Sequence, residues 1–354
     1  GLAALTVVAV IGAIVSLARD STPITVVGDR EPAFPKLVER INDVGAIEIT
    51  TKDHRFTITG EGDGWGIEEK NGYPVKRETV RNFLLEIASL RLVEGKTALA
   101  GRYKHLQVED PEGEDSEARG IRLLARDGEQ LGAGVIGRRK FFLYVDGRGG
   151  TYLRREGDKR SWLAEGEVNF GRAPANWLDR NVFELDPKLV KRYTLKHPDG
   201  EVVTGRRVTP GEKVEIDGLP EQRTYKTDNE ADRLALVVER FEFADVEPGP
   251  HQDFDALADS RYFAEYEFFN GLVLKFEVIT LPKPDGASRF DEPPRWARVT
   301  AEIATDAPDD GRAEATQKAL EINQKTKGWE YLLEELDGLR TTKSVEDMLA
   351  PAKS

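Results

Sequence analysis

Residues able to do chemistry are thinly spread along this chain. Of the four histidines, His54, His105, His197 and His251, no two are spaced as a metal-ligand pair, and His54 and His197 fall in predicted hairpin turns. His251-Gln-Asp253-Phe-Asp255 offers oxygen ligands to a hard cation. It lacks the glycine and the distal glutamate of a calcium loop, and it reads as an acidic loop. Asp306, Asp309 and Asp310 read the same way. Ser161, beside Trp162, has no base near it in sequence that would activate a nucleophile. Gly147-Arg-Gly-Gly150 is glycine-rich but lies between strands, with no helix N-terminus to receive a phosphate. Neither a nucleophile elbow, a P-loop nor a dinucleotide fingerprint occurs. Cysteine is absent, which removes any thiolate metal site and any disulfide framework. No catalytic, cofactor-binding or metal-ligating residue is assigned, no cofactor is implied, and the chain is not expected to be an enzyme.

The strongest physical signal is the opening stretch from Gly1 to Leu17, GLAALTVVAVIGAIVSL, which carries no charge and no proline. Its length as a helix is roughly 25 Å, a little short of a bilayer core of about 30 Å. The chain opens on Gly rather than Met, and upstream residues are expected to complete the span. Two other readings compete. One is a signal peptide ending at Ser16-Leu17-Ala18; the other is a helix of a soluble core, which would keep a polar stripe that this segment lacks. Residues 1–18 are read as a single transmembrane anchor in the lipid bilayer, followed by a connector over 19–32. Ala9, Gly12, Ala13 and Ser16 give the small-xxx-small spacings Ala9/Ala13 and Gly12/Ser16, which would let a second membrane helix pack closely. No Lys/Arg excess follows the segment, so the N-terminus is expected in the cytoplasm and the bulk of the chain in the periplasm. The net charge of −13 argues against nucleic acid, or an anionic lipid surface, as the main partner.

The elements behind the anchor read as α+β with mainly antiparallel sheets. Pro35 opens a helix with Leu37, Ile41 and Val44 on one face. Ile47/Ile49, Phe56/Ile58 and Trp65/Ile67 alternate as strands. A second helix carries Val80, Phe83, Leu84 and Ile87, and a strand closes the run at Leu90/Leu92. The order then returns. Val190, Tyr193, Leu195, Val202 and Thr204 repeat the first strands, Val214/Ile216 repeat Trp65/Ile67, and Leu234, Val238, Phe241 and Phe243 repeat the helix and closing strand. Thr227-Asp-Asn-Glu230 reads as a capping box for the second helix. Hairpins are predicted at Asp127-Gly128 and Asn270-Gly271. Two tandem, duplicated halves are therefore expected, 33–180 and 181–305, with a helical tail over 306–354 packing on the second.

Gly64-Trp65, Tyr73-Pro74, Arg102-Tyr103 with Val108-Glu-Asp-Pro111, Ser161-Trp162-Leu163-Ala164 and Asn176-Trp177-Leu178-Asp179 together resemble a bacterial family, the domain of unknown function DUF4340, in a proteobacterial version. The family pattern has Leu-Gly where this chain has Leu106-Gln107. The resemblance carries no catalytic residues. It implies a single-span envelope protein beside an ABC transporter ATPase, its permease and an auxiliary protein of the gliding-motility type. The expected function is a non-enzymatic accessory subunit of an ABC-transporter-like inner-membrane complex, with the permease and the auxiliary protein as partners. An envelope domain binding lipid, glycan or peptide is the alternative, and an envelope hydrolase a third.

Overall fold

A computed structural model describes residues 30–62, 64–143, 149–219 and 223–351. The predicted anchor, with Ala9, Gly12, Ala13 and Ser16, lies outside these residues. Among the described residues no helix is long and apolar enough to cross a membrane. The fold is mixed α and β, built on two antiparallel sheets, and the chain divides into two compact units after Leu178.

In the first unit Pro35 occupies the first turn of helix α1 (Pro35–Arg40), where its missing N–H costs nothing. The helical period does not run on as far as expected. A 3₁₀ turn, Ile41–Asp43, follows, and Val44 already begins strand β1 (Val44–Thr50). Ile47 and Ile49 alternate with Glu48 and Thr50, as a strand covered on one face requires. The remaining elements are β2 (Arg55–Glu61), β3 (Gly64–Ile67), β4 (Tyr73–Pro74), α2 (Arg77–Ser89), β5 (Arg91–Gly95), β6 (Arg119–Ala125), β7 (Gln130–Lys140), β8 (Gly150–Arg155) and β9 (Trp162–Glu165). The sheet order is β4-β3-β2-β1-β6-β7-β8-β9-β5. Helix α2 buries Val80, Phe83, Leu84 and Ile87, the face its sequence predicts. Phe83 meets Phe170 and Trp177 edge-on at 5.0 and 5.2 Å.

The second unit contains β10 (Asn181–Phe183), β11 (Val190–Lys196), β12 (Val202–Arg206), β13 (Glu215–Ile216), α3 (Glu230–Leu234), β14 (Phe241–Pro248), β15 (Arg261–Phe268), β16 (Leu272–Thr280), β17 (Arg295–Ile303), α4 (Asp309–Thr326), β18 (Trp329–Leu333), α5 (Glu335–Thr341) and α6 (Val345–Met348). Its sheet order is β10-β14-β18-β17-β16-β15-β11-β12-β13. An aromatic core holds it together, with Phe241 5.1 Å from Phe183, 5.3 Å from Phe276 and 5.8 Å from Tyr331.

Several details depart from the sequence pattern. In β12 it is Val203 that is buried, and Val202 stands 54% exposed, because Leu195 pairs with Val203 whereas Ile49 pairs with Phe56. The connecting loop is one residue longer in the second unit, and a slip of one residue exchanges the faces of a strand. Thr227 does not cap α3 through a backbone N–H; its hydroxyl donates to the Glu230 carboxylate at 2.9 Å. In the two hairpin turns only the glycines, Gly128 and Gly271, take positive φ, 85° and 87°. Trp329–Leu333, within the stretch read as a helical tail, is a strand lying between β14 and β17. Helix α4 runs along β17, and the Asn323 amide bonds to both the N–H and the carbonyl of Ala301, at 2.9 and 2.7 Å, on the edge of β17 that β18 leaves uncovered beyond Ala297.

Candidate functional site

Each sheet carries a helix on one face and a crossing segment on the other. Within β7, Gly132 faces Phe34 beside α1, while Gly137 points to the opposite face and meets the carbonyl of Leu106. That second face is covered by the β5–β6 connection, residues 96–118, whose centre is the 3₁₀ helix Ala100–Leu106. Val108 and Ala118 pack there on Val135, Tyr152 and Leu163, with Tyr103, Leu106 and Leu143 around them. Ser161 fixes one end. Fully buried, its hydroxyl donates to the Thr97 carbonyl at 2.9 Å and accepts from the Thr97 N–H at 3.1 Å. The Tyr103 hydroxyl donates to the Lys159 carbonyl, and Arg154 lies 4.8 Å from the Tyr103 ring centre while its Nε donates to the Val108 carbonyl at 2.9 Å. At the opposite edge Arg119 lies 4.4 Å from the Phe170 ring centre and donates to the carbonyls of Phe170 and Gly137, at 3.1 and 3.3 Å. Burial, with the positive charges of Arg172 and Arg139, pushes its guanidinium down to about 10.

The β14–β15 connection, residues 249–260, does the same in the second unit. Phe254 packs on Ile279 and Trp296, with Leu257, Leu281 and Leu332 beside them. Its anchor is Glu330 of β18, 1% exposed, whose Oε1 accepts from Arg298 Nε and Nη2 at 2.9 and 2.7 Å. Oε2 accepts from the backbone N–H groups of His251 and Gln252, at 3.2 and 2.8 Å. Arg298 also lies 4.0 Å from the Phe254 ring centre. So His251-Gln-Asp253-Phe-Asp255 is the crossing segment itself. The His251 ring rests on Trp296 at 4.7 Å, Asp253 accepts from the N–H groups of Asp255 and Ala256, and Asp255 pairs with Arg261.

Beside each crossing segment the sheet face opens as a trough. In the first unit it has about 600 Å³ and is lined by Glu48, Arg55, Glu69, Arg122, Arg154 and Glu156. In the second it has about 550 Å³, with Lys196, Phe263, Glu265, Lys275, Glu277 and Arg298. Arg122 reaches Glu156 at 3.0 Å and Glu48 at 3.5 Å, and Lys275 reaches Glu302 at 2.5 Å. These charges are balanced and solvent-facing, an arrangement that offers hydrogen bonds to a polar partner and concentrates no single sign.

The other candidates are scattered. His54 is exposed in the turn after β1, and His105 is exposed in the 3₁₀ helix of the first crossing segment. His197 is packed, its Nε2 3.2 Å from the Lys343 carbonyl. Asp306 lies in an exposed loop, and Asp309 and Asp310 occupy the first turn of α4, where carboxylates favour the helix dipole. Of Gly147-Arg-Gly-Gly150 only the last two residues are described. Among the described residues no group of three or more His, Asp or Glu side chains is placed to hold a metal ion. Arg154, Arg298 and Glu330 hold the crossing segments in place, and spacing along the chain does not mark them for it. A charge inside an aromatic strand, Trp329-Glu330-Tyr331, is the signal that could have found one of them.

The domain-of-unknown-function family DUF4340 matches residues 65–259, more than half of the chain. The chain belongs to this family. Neither the curated proteins nor the solved structures contain a match. The DUF4340 match begins in β3 and ends within the second crossing segment. The stretches that carry the resemblance are joints. Lys76 N–H donates to the Trp177 carbonyl at 3.4 Å, Val75 bridges Leu178, and the Trp177 indole donates to the Gly171 carbonyl at 3.2 Å. Tyr103, Val108, Ser161 and Leu163 hold the first crossing segment. Gln107, where the family pattern has Gly, closes the 3₁₀ helix with φ 57°, a left-handed conformation that glycine adopts without steric cost.

Proposed function

We propose that the chain is a non-enzymatic, membrane-anchored periplasmic subunit of an ABC-transporter-like inner-membrane complex, working by protein–protein docking. One observation carries this reading: two buried groups with chemical potential, Ser161 and Glu330, are engaged in holding segments to sheets. Ser161 binds Thr97, and Glu330 binds Arg298 and the His251 loop, while the open surface beside them is a balanced, polar trough in each unit. Residues 1–18 supply the anchor, with Ala9, Gly12, Ala13 and Ser16 against a permease helix. The family resemblance supplies the partners, a permease and a gliding-motility-type auxiliary protein.

The two units are read as copies of one ancestral module. The second sheet, read backwards, places its strands in the connectivity of the first, β13-β12-β11-β15-β16-β17-β18-β14 beside β3-β2-β1-β6-β7-β8-β9-β5. Irregular pairing also recurs at matching places, after Val44 and Val190 and after Leu92 and Phe243. Bulges are specific features of a strand pair, and their recurrence supports common descent.

Affinity purification of the tagged chain from native membranes in mild detergent tests the docking reading. Recovery of the permease is expected, and recovery of the chain alone at native expression overturns it. Retention in the membrane pellet through alkaline carbonate is the expected result for the anchor.

A further inference from the structure

The connection leaving β7 exposes two consecutive phenylalanines, Phe141 at 60% and Phe142 at 78%, directly after Arg138, Arg139 and Lys140. Arg139 lies 5.2 Å from the Phe141 ring centre and pairs with Glu167 at 3.5 Å. Arg138 lies 5.6 Å from the Tyr152 ring centre, and among the described residues neither Arg138 nor Lys140 has a carboxylate partner. We propose that this tip, residues 138–142, docks on an anionic lipid surface, with the phenyl rings at the headgroup–acyl boundary and the cations among the phosphates. Aromatic rings gain by leaving water at that depth, and cations gain from the negative surface potential within a Debye length.

The remainder of the molecule makes the contact local. With a net charge of −13 the chain as a whole is repelled by an anionic surface, so attraction has to come from a local cationic patch such as this one. The β16–β17 connection supplies a contrast. Phe290 is 77% exposed, with Arg289 4.5 Å from its ring centre, but Asp285, Asp291 and Glu292 lie within a few residues and cancel the charge. Equal exposure thus meets a cationic setting at Phe142 and a cancelled one at Phe290.

The proposal concerns residues 138–142 and stands apart from the reading of residues 1–18. Because the chain has no cysteine, Phe142→Cys and Phe290→Cys each create one labelling site. The full chain, labelled with an environment-sensitive fluorophore, is mixed with vesicles of phosphatidylcholine and phosphatidylglycerol containing a nitroxide lipid. Quenching is expected at position 142 and not at 290. The vesicle partition coefficient read from it should fall about 25-fold or more when Arg138→Glu and Lys140→Glu are added, from a factor of about five per cation lost. Both substitutions leave the fold intact, as an unchanged melting curve will show. Quenching that is equal at 142 and 290, equal in phosphatidylcholine alone, or insensitive to the charge reversal overturns the proposal. So does shielding of position 142 in native membranes but not in vesicles, which would make the occupant a protein. Chain association through residues 1–18 without quenching at 142 overturns this proposal and leaves the anchor reading standing.

Discussion

Gln107 closes the 3₁₀ helix of the first crossing segment at φ 57°, with its N–H bonded back to the Lys104 and Tyr103 carbonyls. A side chain in the left-handed region costs about 1–2 kcal/mol, and glycine gives back roughly 0.5–1 kcal/mol of that through the freedom of its unfolded chain. Gln107→Gly is therefore expected to stabilise the protein by about 0.5–1 kcal/mol, read as a shift of the urea midpoint at unchanged slope. Glu230 shows how burial and pairing compete at one residue. Burial works against its charge, but hydrogen bonds from Lys343 and Thr227 and the nearby charges of Lys343 and Arg233 hold its pKa below the ordinary 4.5. A lowered carboxylate pKa means that the unfolded chain binds the proton more readily, so this stabilisation is complete above pH 4.5 and fades as the pH falls through the lowered value. Glu230→Gln should unfold more easily than the parent at neutral pH, and the gap should close in acid. A gap that is constant across the titration would rule out the charge as its source.

At the scale of elements, the two crossing segments are the parts least visible in a linear reading. Residues 96–118 show neither a period of two nor of 3.6, because they are held by single side chains, Ser161, Tyr103 and Arg154, rather than by a continuous apolar face. Gly137 shows how closely that segment approaches. A Cβ there would stand 2.2 Å from the Leu106 carbonyl oxygen and 2.7 Å from Val108 Cγ1. Backbone cannot yield as a flexible side chain can, so Gly137→Ala must lift the segment. The expected cost is about 1–3 kcal/mol, with faster amide exchange over residues 97–108. Exchange unchanged in that segment would mean that β7 itself moves aside. Val80, Phe83, Leu84 and Ile87 of α2, and Ala315, Ala319 and Ile322 of α4, are the buried residues their spacing predicts.

For the whole molecule, two nine-stranded antiparallel sheets replace the picture of a second half followed by a helical tail. Strand β18 is paired on both sides, with β14 and with β17, and Tyr331 joins the aromatic core through Phe241 and Phe243 at 5.8 and 5.2 Å. A fragment covering residues 179–327 loses that strand, and it is expected to show no cooperative thermal transition by circular dichroism. Residues 30–178 retain all nine strands of their sheet and should melt cooperatively alone. A folded 179–327 fragment would show that the second sheet can close without β18. The DUF4340 match, ending at residue 259, stops before β15 to β18, so its limit is not the limit of a folding unit.

Local chemistry determined much that could be read without coordinates. Alternating Ile47/Ile49 and Phe56/Ile58, proline opening α1, glycine at both hairpin turns and the apolar stripe of α2 are encoded within a few neighbouring residues, where sterics and one buried face leave few choices. Only the tertiary structure decided that Val203 rather than Val202 faces the core, that Trp329–Leu333 enters the second sheet, and that Ser161, Arg298 and Glu330 act as fasteners. Each of these depends on which distant strand lies alongside. One extra loop residue or one buried carboxylate far along the chain changes that outcome while leaving the local pattern the same.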